Sequence, residues 1–76
     1  MRGVVEEMGE QFNFKLNEKL TKLDPVGRDY EYLAIKHPIA DDIYVVHYFI
    51  DGNWDTANYE VKFIEERFKR GYWILL

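Results

Sequence analysis

Residues 43–50, Ile-Tyr-Val-Val-His-Tyr-Phe-Ile, constrain this chain more than any other segment. Branched and aromatic side chains suit an extended, pleated backbone, and successive side chains of a strand point to opposite faces. One face carries Ile43, Val45, His47 and Phe49, and the other Tyr44, Val46, Tyr48 and Ile50. A strand apolar on both faces is expected in the interior of a sheet, or with its second face covered by another chain.

The rest of the sheet has to come from a short chain. With 76 residues there is room for one domain and no second core, and chains of this size bury only about 60% of their unfolded surface. Aromatic side chains offset that shortage. They make up 17% of the sequence, and each can bury roughly 150–250 Å². There is no cysteine, so neither disulfides nor thiolate metal ligands can brace the fold, and a cytoplasmic location is the natural expectation.

Residues 29–36, with Tyr30, Tyr32, Leu33 and Ile35, read as a strand. His37-Pro38 breaks it, and Ala40-Asp41-Asp42 leads into the strand at 43–50 as a hairpin connection. Upstream, Val5, Met8, Phe12, Leu16, Leu20 and Leu23 recur at steps of three and four, which predicts a helix. Residues 12–17 also alternate with period two, and Gly9 weakens a helix, so a helix to Met8 followed by a strand is the alternative. Asp24-Pro25-Val26-Gly27 ends the element.

Downstream, Asp51-Gly52-Asn53 marks a turn, and Asp55 or Thr56 can cap a helix reaching about Arg70. Its apolar stripe is Ala57, Val61, Ile64 and Phe68. Glu65 with Lys69 and Glu66 with Arg70 are favourable i, i+4 pairs. Gly71 stands where a C-terminal cap belongs. The apolar residues 72–76, Tyr-Trp-Ile-Leu-Leu, then read as a closing strand, reached by a crossover and parallel to the strand at 43–50. The expectation is a single α+β domain over residues 1–76, in the order α-β-β-α-β, with helices packed on a small mixed sheet.

Inventory excludes several chemistries. Serine is absent, so serine nucleophiles are excluded. The scattered glycines form no phosphate-binding loop, no leader sequence is evident at the N-terminus, and no apolar run is long enough for a membrane helix. His37, Asp41, Asp42 and His47 are metal-ligand types without metal-site spacing, and Asp51 with Asp55, or Glu65 with Glu66, are carboxylate pairs better explained by turn and helix polarity. No cofactor and no catalytic residue is expected. A small metal-dependent or acid–base enzyme is the least favoured reading.

What remains is binding. No lysine or arginine falls between Lys36 and Lys62, whereas Asp41, Asp42, Asp51, Asp55 and Glu60 do. An acidic surface of this kind disfavours direct nucleic-acid contact and suits a basic patch on another protein. Helical periodicity places Tyr59 and Phe63 off the apolar stripe, so that with Trp54 they form a candidate exposed aromatic patch. The candidate partner-binding residues are Trp54, Tyr59, Phe63, Asp41, Asp42, Asp51 and Asp55. A non-enzymatic protein-binding or regulatory module is expected, with a homodimer possible through the sheet or the C-terminal strand. The rival is an acidic mimic of nucleic acid that inhibits a DNA- or RNA-binding protein. The composition, rich in Lys, Glu, Tyr, Phe and Asn, resembles that of small accessory proteins of low-GC bacteria and their phages; the resemblance covers no motif and transfers no residue role.

Overall fold

A computed structural model describes residues 8–18, 21–24 and 30–76. They form five strands and one helix, in the order β1 (Gln11–Leu16), β2 (Glu31–Lys36), β3 (Ile43–Ile50), β4 (Asn53–Glu60), α1 (Val61–Lys69) and β5 (Trp73–Leu75). The strands make one sheet in the order β4-β3-β2-β1-β5, and every pairing is antiparallel. The expected helix-rich α+β fold with a mixed sheet is therefore corrected to a mainly antiparallel β fold with one short helix element among the described residues.

Three local causes produce that difference. Phe12, Phe14 and Leu16 are buried at every second position, so residues 11–16 form a strand and not the middle of a helix. The portions of the expected N-terminal helix at residues 5–7 and 19–20, and the turn expected at 25–27, lie outside the described residues. Asp51 and Gly52 both take positive φ, 51° and 80°, the geometry of a two-residue hairpin turn. The chain consequently folds straight back into β4, with Ile50 opposite Asn53 and Phe49 opposite Trp54. Asp55 and Thr56 lie inside that strand and cap no helix. Finally, β5 pairs with β1 and not beside β3, with Leu16 opposite Trp73 and Phe14 opposite Leu75.

The helix that does form begins at Val61, whose N–H donates to the Asp42 carbonyl at 2.8 Å. Three of the four residues of the expected stripe lie on it, with Ile64 buried and Val61 and Phe68 packed against the core; Ala57 belongs instead to β4, across from Val46. Gly71, at φ 77°, ends it as the sequence suggests. The Gly71 N–H donates to the Phe68 carbonyl at 3.1 Å and the Tyr72 N–H to the Arg67 carbonyl at 2.9 Å, the paired bonds of a Schellman cap.

The core lies on one face of the sheet. Phe12, Phe14, Leu16, Tyr32, Ala34, Tyr44, Val46 and Tyr48 point into it from the strands, joined by Met8, Leu23, Ile64 and Trp73. Phe14 is fully buried and stacks on Trp73 with ring centroids 4.3 Å apart. Buried hydroxyls find partners: Tyr32 donates to the Leu23 carbonyl at 3.0 Å, and Tyr44 donates to the Gly9 carbonyl.

Tyr59 on β4 touches Trp73 on β5 at 5.5 Å between centroids, although β4 and β5 are the two edges of the sheet. In a flat sheet those edges would stand about 19 Å apart, four spacings of about 4.8 Å. The sheet must therefore coil towards its covered face, with α1 bridging the edges and the other face left convex.

Candidate functional site on the uncovered sheet face

The convex face is set by strand parity. Opposite the buried positions lie Leu33 and Ile35 of β2, Ile43, Val45, His47 and Phe49 of β3, and Trp54 and Thr56 of β4, with Leu33 across from His47 and Ile35 across from Val45. β3 is an interior strand as expected, yet only its Tyr44, Val46 and Tyr48 side is buried. The opposite side carries half-covered apolar residues, ending in an exposed pair. Trp54 is 73% exposed and meets Phe49 edge to face, with centroids 5.3 Å apart and planes at 73°.

Beside that pair the sheet opens. β2 and β3 pair from Lys36 opposite Tyr44 to Leu33 opposite His47, and there the ladder ends, although β2 runs on to Glu31 and β3 to Ile50. β2 stays with β1, Lys15 facing Glu31, while β3 stays with β4 to the hairpin. Between the diverging strands lies a cavity of about 290 Å³ lined by Tyr30, Glu31, Tyr32, Tyr48, Phe49 and Trp54. Five of its six lining side chains are aromatic and the sixth is a carboxylate. The Tyr48 hydroxyl makes a long hydrogen bond of 3.4 Å to Asp55 Oδ2. Burial first, then the Asp55 charge and that bond, push the Tyr48 phenol above its ordinary range.

A second aromatic cluster lies on the covered side. Tyr59 stacks on Phe63 at 5.2 Å, the Arg67 guanidinium sits 4.5 Å over the Phe63 ring, and Arg67 Nη1 donates to Glu18 Oε2 at 3.0 Å. The other oxygen of Glu18 accepts from Trp73 Nε1 at 3.1 Å. Burial chiefly, then the neighbouring Tyr48 and Glu18, raise the Tyr59 phenol, with Arg67 opposing them. The structure thus brings Tyr59 and Phe63 together and places Trp54 on the other face of the sheet, so the three do not make one patch. Tyr59 faces the core side of β4, and Phe63 is partly covered by Arg67.

The carboxylates divide as well. Asp41 and Asp42 sit in the turn before β3, Asp51 is the first residue of the β3–β4 turn, and Asp55 lies within β4. Those two ends of β3 are about 24 Å apart, at about 3.4 Å per residue. Asp51 adjoins the Phe49–Trp54 corner through the turn, whereas Asp55, across from Tyr48, lies on the covered face of β4. Asp55 also covers a backbone donor of the β4 edge, accepting the Thr56 N–H at 2.8 Å.

The histidines have local surroundings that differ from each other. His37 Nδ1 accepts the N–H groups of Ile39 and Ala40, both at 3.1 Å, which shapes the β2–β3 connection. His47 lies on the convex face between Leu33 and Thr56. Among the described residues, no three histidine or carboxylate side chains come together as a metal-binding group. Nor is any helix among them long and apolar enough to cross a membrane.

Tyr30, Glu31, Tyr32, Tyr48 and Phe49 are site residues that sequence reasoning missed. The signal available for Phe49 was the Asp-Gly turn, since a two-residue hairpin after Ile50 puts Trp54 directly across from it; nothing in the sequence announces that β2 and β3 part company. Comparison with known proteins gives no match: no family model, no curated protein and no solved structure matches the chain.

Proposed function

We propose that this protein is a non-catalytic binding module that docks a basic segment of another protein on the convex face of its sheet, at the β3–β4 hairpin end. The observation that carries the reading is the Phe49–Trp54 pair, a large aromatic corner held out from the uncovered face with Trp54 73% exposed. Exposed aromatic residues of this kind anchor protein interfaces, where tryptophan and tyrosine are enriched among the residues that dominate affinity. Leu33, Ile35 and Val45 continue the apolar surface along β2 and β3.

The chemistry of the partner follows from charge. Glu31 lines the cavity beside the corner and Asp51 lies in the adjoining turn, while no lysine or arginine occurs between residues 36 and 62. Such a surface steers a cationic partner towards itself and repels an anionic one. The acidic groups serve orientation and rate, while the aromatic contact supplies affinity.

Selection from a randomised peptide-display library tests the reading. The expected result is enrichment of peptides that combine arginine or lysine with apolar residues. Their synthetic versions should bind the purified wild-type protein and lose at least tenfold in affinity to Trp54→Ala. Modest weakening on raising salt is expected, because the contact is mainly apolar. Enrichment of acidic peptides, or binding indifferent to Trp54→Ala, overturns it. A loss of affinity that is steep in salt and follows Asp41→Asn with Asp42→Asn would instead mark recognition through the carboxylates alone.

A further inference from the structure

We propose that the partner segment is held as an added strand along the open edge of β4, its backbone hydrogen-bonding to the outward N–H and C=O groups of Trp54, Thr56 and Asn58. The inference rests on the docking reading and adds how the basic segment is gripped.

The register fixes which backbone groups face outwards. Ile50 and Asn53 close the two-residue hairpin. Val61, opposite Asp42 in the continuing register, donates its N–H to the Asp42 carbonyl at 2.8 Å. In an antiparallel pair, alternate residues turn both N–H and C=O to the same neighbour. Asn53, Asp55, Ala57 and Tyr59 therefore bond to β3, and Trp54, Thr56 and Asn58 turn their groups away from the sheet. Among the described residues no strand lies beyond β4. The chain leaves β4 for α1 at the far end, where Tyr59 stacks on Phe63, and residues 53–56 and 58 are exposed. One outward donor has a partner already: the Thr56 N–H donates to Asp55 Oδ1 at 2.8 Å, a bond that a guest carbonyl can replace.

The two edges of the sheet differ. β5 has three residues, whereas β4 has eight, pairs with β3 at every position without a bulge, and contains neither lysine nor proline. Short length, lysine, proline and bulges are the usual devices that close an edge to further pairing. What β4 carries instead is negative charge, at Asp55 and Glu60. Like charges across a strand pair are destabilising and opposite charges stabilising. A second copy of β4 is thus repelled, and a strand bearing cations is admitted.

An added strand also completes the aromatic corner. Trp54 meets Phe49 on its β3 side, and a strand paired about 4.8 Å beyond β4 sets an apolar residue on the other flank, on the convex face. The next guest residue falls on the covered face, beside Asp55. Once the Thr56 N–H passes to a guest carbonyl, Asp55 Oδ1 is released to pair with a cation there. The recognised pattern is therefore an extended segment of alternating apolar and basic residues, bound by its main chain and sorted by its side chains.

The probe is the peptide acetyl-Arg-Val-Arg-Phe-Arg-Val-Arg-amide, added to isotope-labelled protein while amide hydrogen–deuterium exchange is followed by NMR. Without peptide, the Trp54 and Asn58 amides should exchange faster than those of Asp55 and Ala57. With it, the Trp54, Thr56 and Asn58 amides should slow by at least about fivefold, the equivalent of one net backbone hydrogen bond. Methylating the amide nitrogens of one alternate set of peptide residues should weaken binding by at least that factor, and methylating the other set should not. Asn58→Pro removes an outward donor and no bond to β3, so it should weaken the peptide similarly with an unchanged circular dichroism spectrum. Equal tolerance or equal loss between the two methylated sets overturns the proposal, as does full binding by folded Asn58→Pro or slowing of no β4 amide. Protection of Trp54 and Asn58 that grows with protein concentration in the absence of peptide assigns the edge to a second copy and overturns it too. If the peptide depends on Trp54→Ala while both methylated forms bind alike, the docking face stands and strand addition falls. If the β4 amides are protected but Trp54→Ala changes nothing, strand addition stands and the aromatic anchor falls.

Discussion

The chain has two tryptophans, and the fold assigns them opposite fates. Trp73 is 3% exposed and its ring meets those of Phe14, Tyr59, Phe63 and Phe68. Replacing it by alanine removes a large buried aromatic, a change that costs about 3–5 kcal/mol in protein cores, and strips Phe14 of its stacking partner. It also leaves one oxygen of Glu18 without its indole donor, but Glu18 keeps Arg67 and some solvent, so that contribution is small. A domain of 76 residues has a total stability of about 4–11 kcal/mol at about 0.05–0.15 kcal/mol per residue. Trp73→Ala should therefore remove about a quarter or more of it, shifting the urea midpoint down by about one molar or more at about 1–3 kcal/mol per molar. Trp54→Ala loses only an edge contact with Phe49, about 0.5–1 kcal/mol. Urea unfolding followed by far-ultraviolet circular dichroism measures both. Equal losses, or a Trp73→Ala loss below about 1 kcal/mol, would refute the placement of the core on the α1 face and, with it, the identity of the free face.

Removing residues 72–76 takes away β5 and Trp73 together, so the shortened chain should fail to fold; a cooperative unfolding transition in it would contradict the closing role of β5. Gly52→Ala should cost about 1–2 kcal/mol, measured by the same urea titration, because φ is 80° there while a new Cβ meets nothing within 4 Å. Glu18→Gln should lower stability by about 0.5–1 kcal/mol at low salt, and by less at high salt, because the Arg67 pair it breaks is 21–30% exposed. Alkaline titration should show late tyrosinate absorbance. Tyr44, Tyr48 and Tyr59 are all raised, burial being the first cause in each. Their unfolded forms ionise first, so the stability they contribute is complete below about pH 10 and is lost as pH rises from there through the folded-state values. Absorbance at the tyrosinate band and circular dichroism should change together for these residues.

Individual elements were legible, although the fold class was not. Ile43–Ile50 is the strand its composition announces, β2 lies within the expected segment, and Gly71 caps a helix whose Val61, Ile64 and Phe68 stripe was readable. The failure at β1 has a simple physical origin. Met8, Phe12 and Leu16 are spaced by four, and four residues is both about one helical turn and two strand repeats, so the spacing satisfies either period. Phe14 is the residue that decides, since it shares a strand face with Phe12 and Leu16 but lies about 160° away from either at about 100° per helical residue. The error at β4 came from Asp55 and Thr56, residue types that serve as helix caps; here the Asp55 carboxylate instead accepts the Thr56 backbone N–H along the edge strand. Asp51-Gly52 was the stronger signal, because a two-residue turn with both φ values positive commits the next eight residues to pairing with β3. Once that hairpin is granted, Trp54 falls opposite Phe49 and leaves the company of Tyr59. The β2–β3 opening was not legible, since it depends on where two ladders stop and not on any single residue.

The central claim is that the convex face, and not the α1 face, receives the partner. Amide and indole shifts recorded while a display-selected basic peptide is added to the isotope-labelled protein test it directly. The account predicts that Leu33, Val45, Phe49 and both the backbone and side chain of Trp54 move, while Ile64, Arg67 and the Trp73 indole stay. Shifts centred on α1, or on Tyr59 and Phe63, would contradict it.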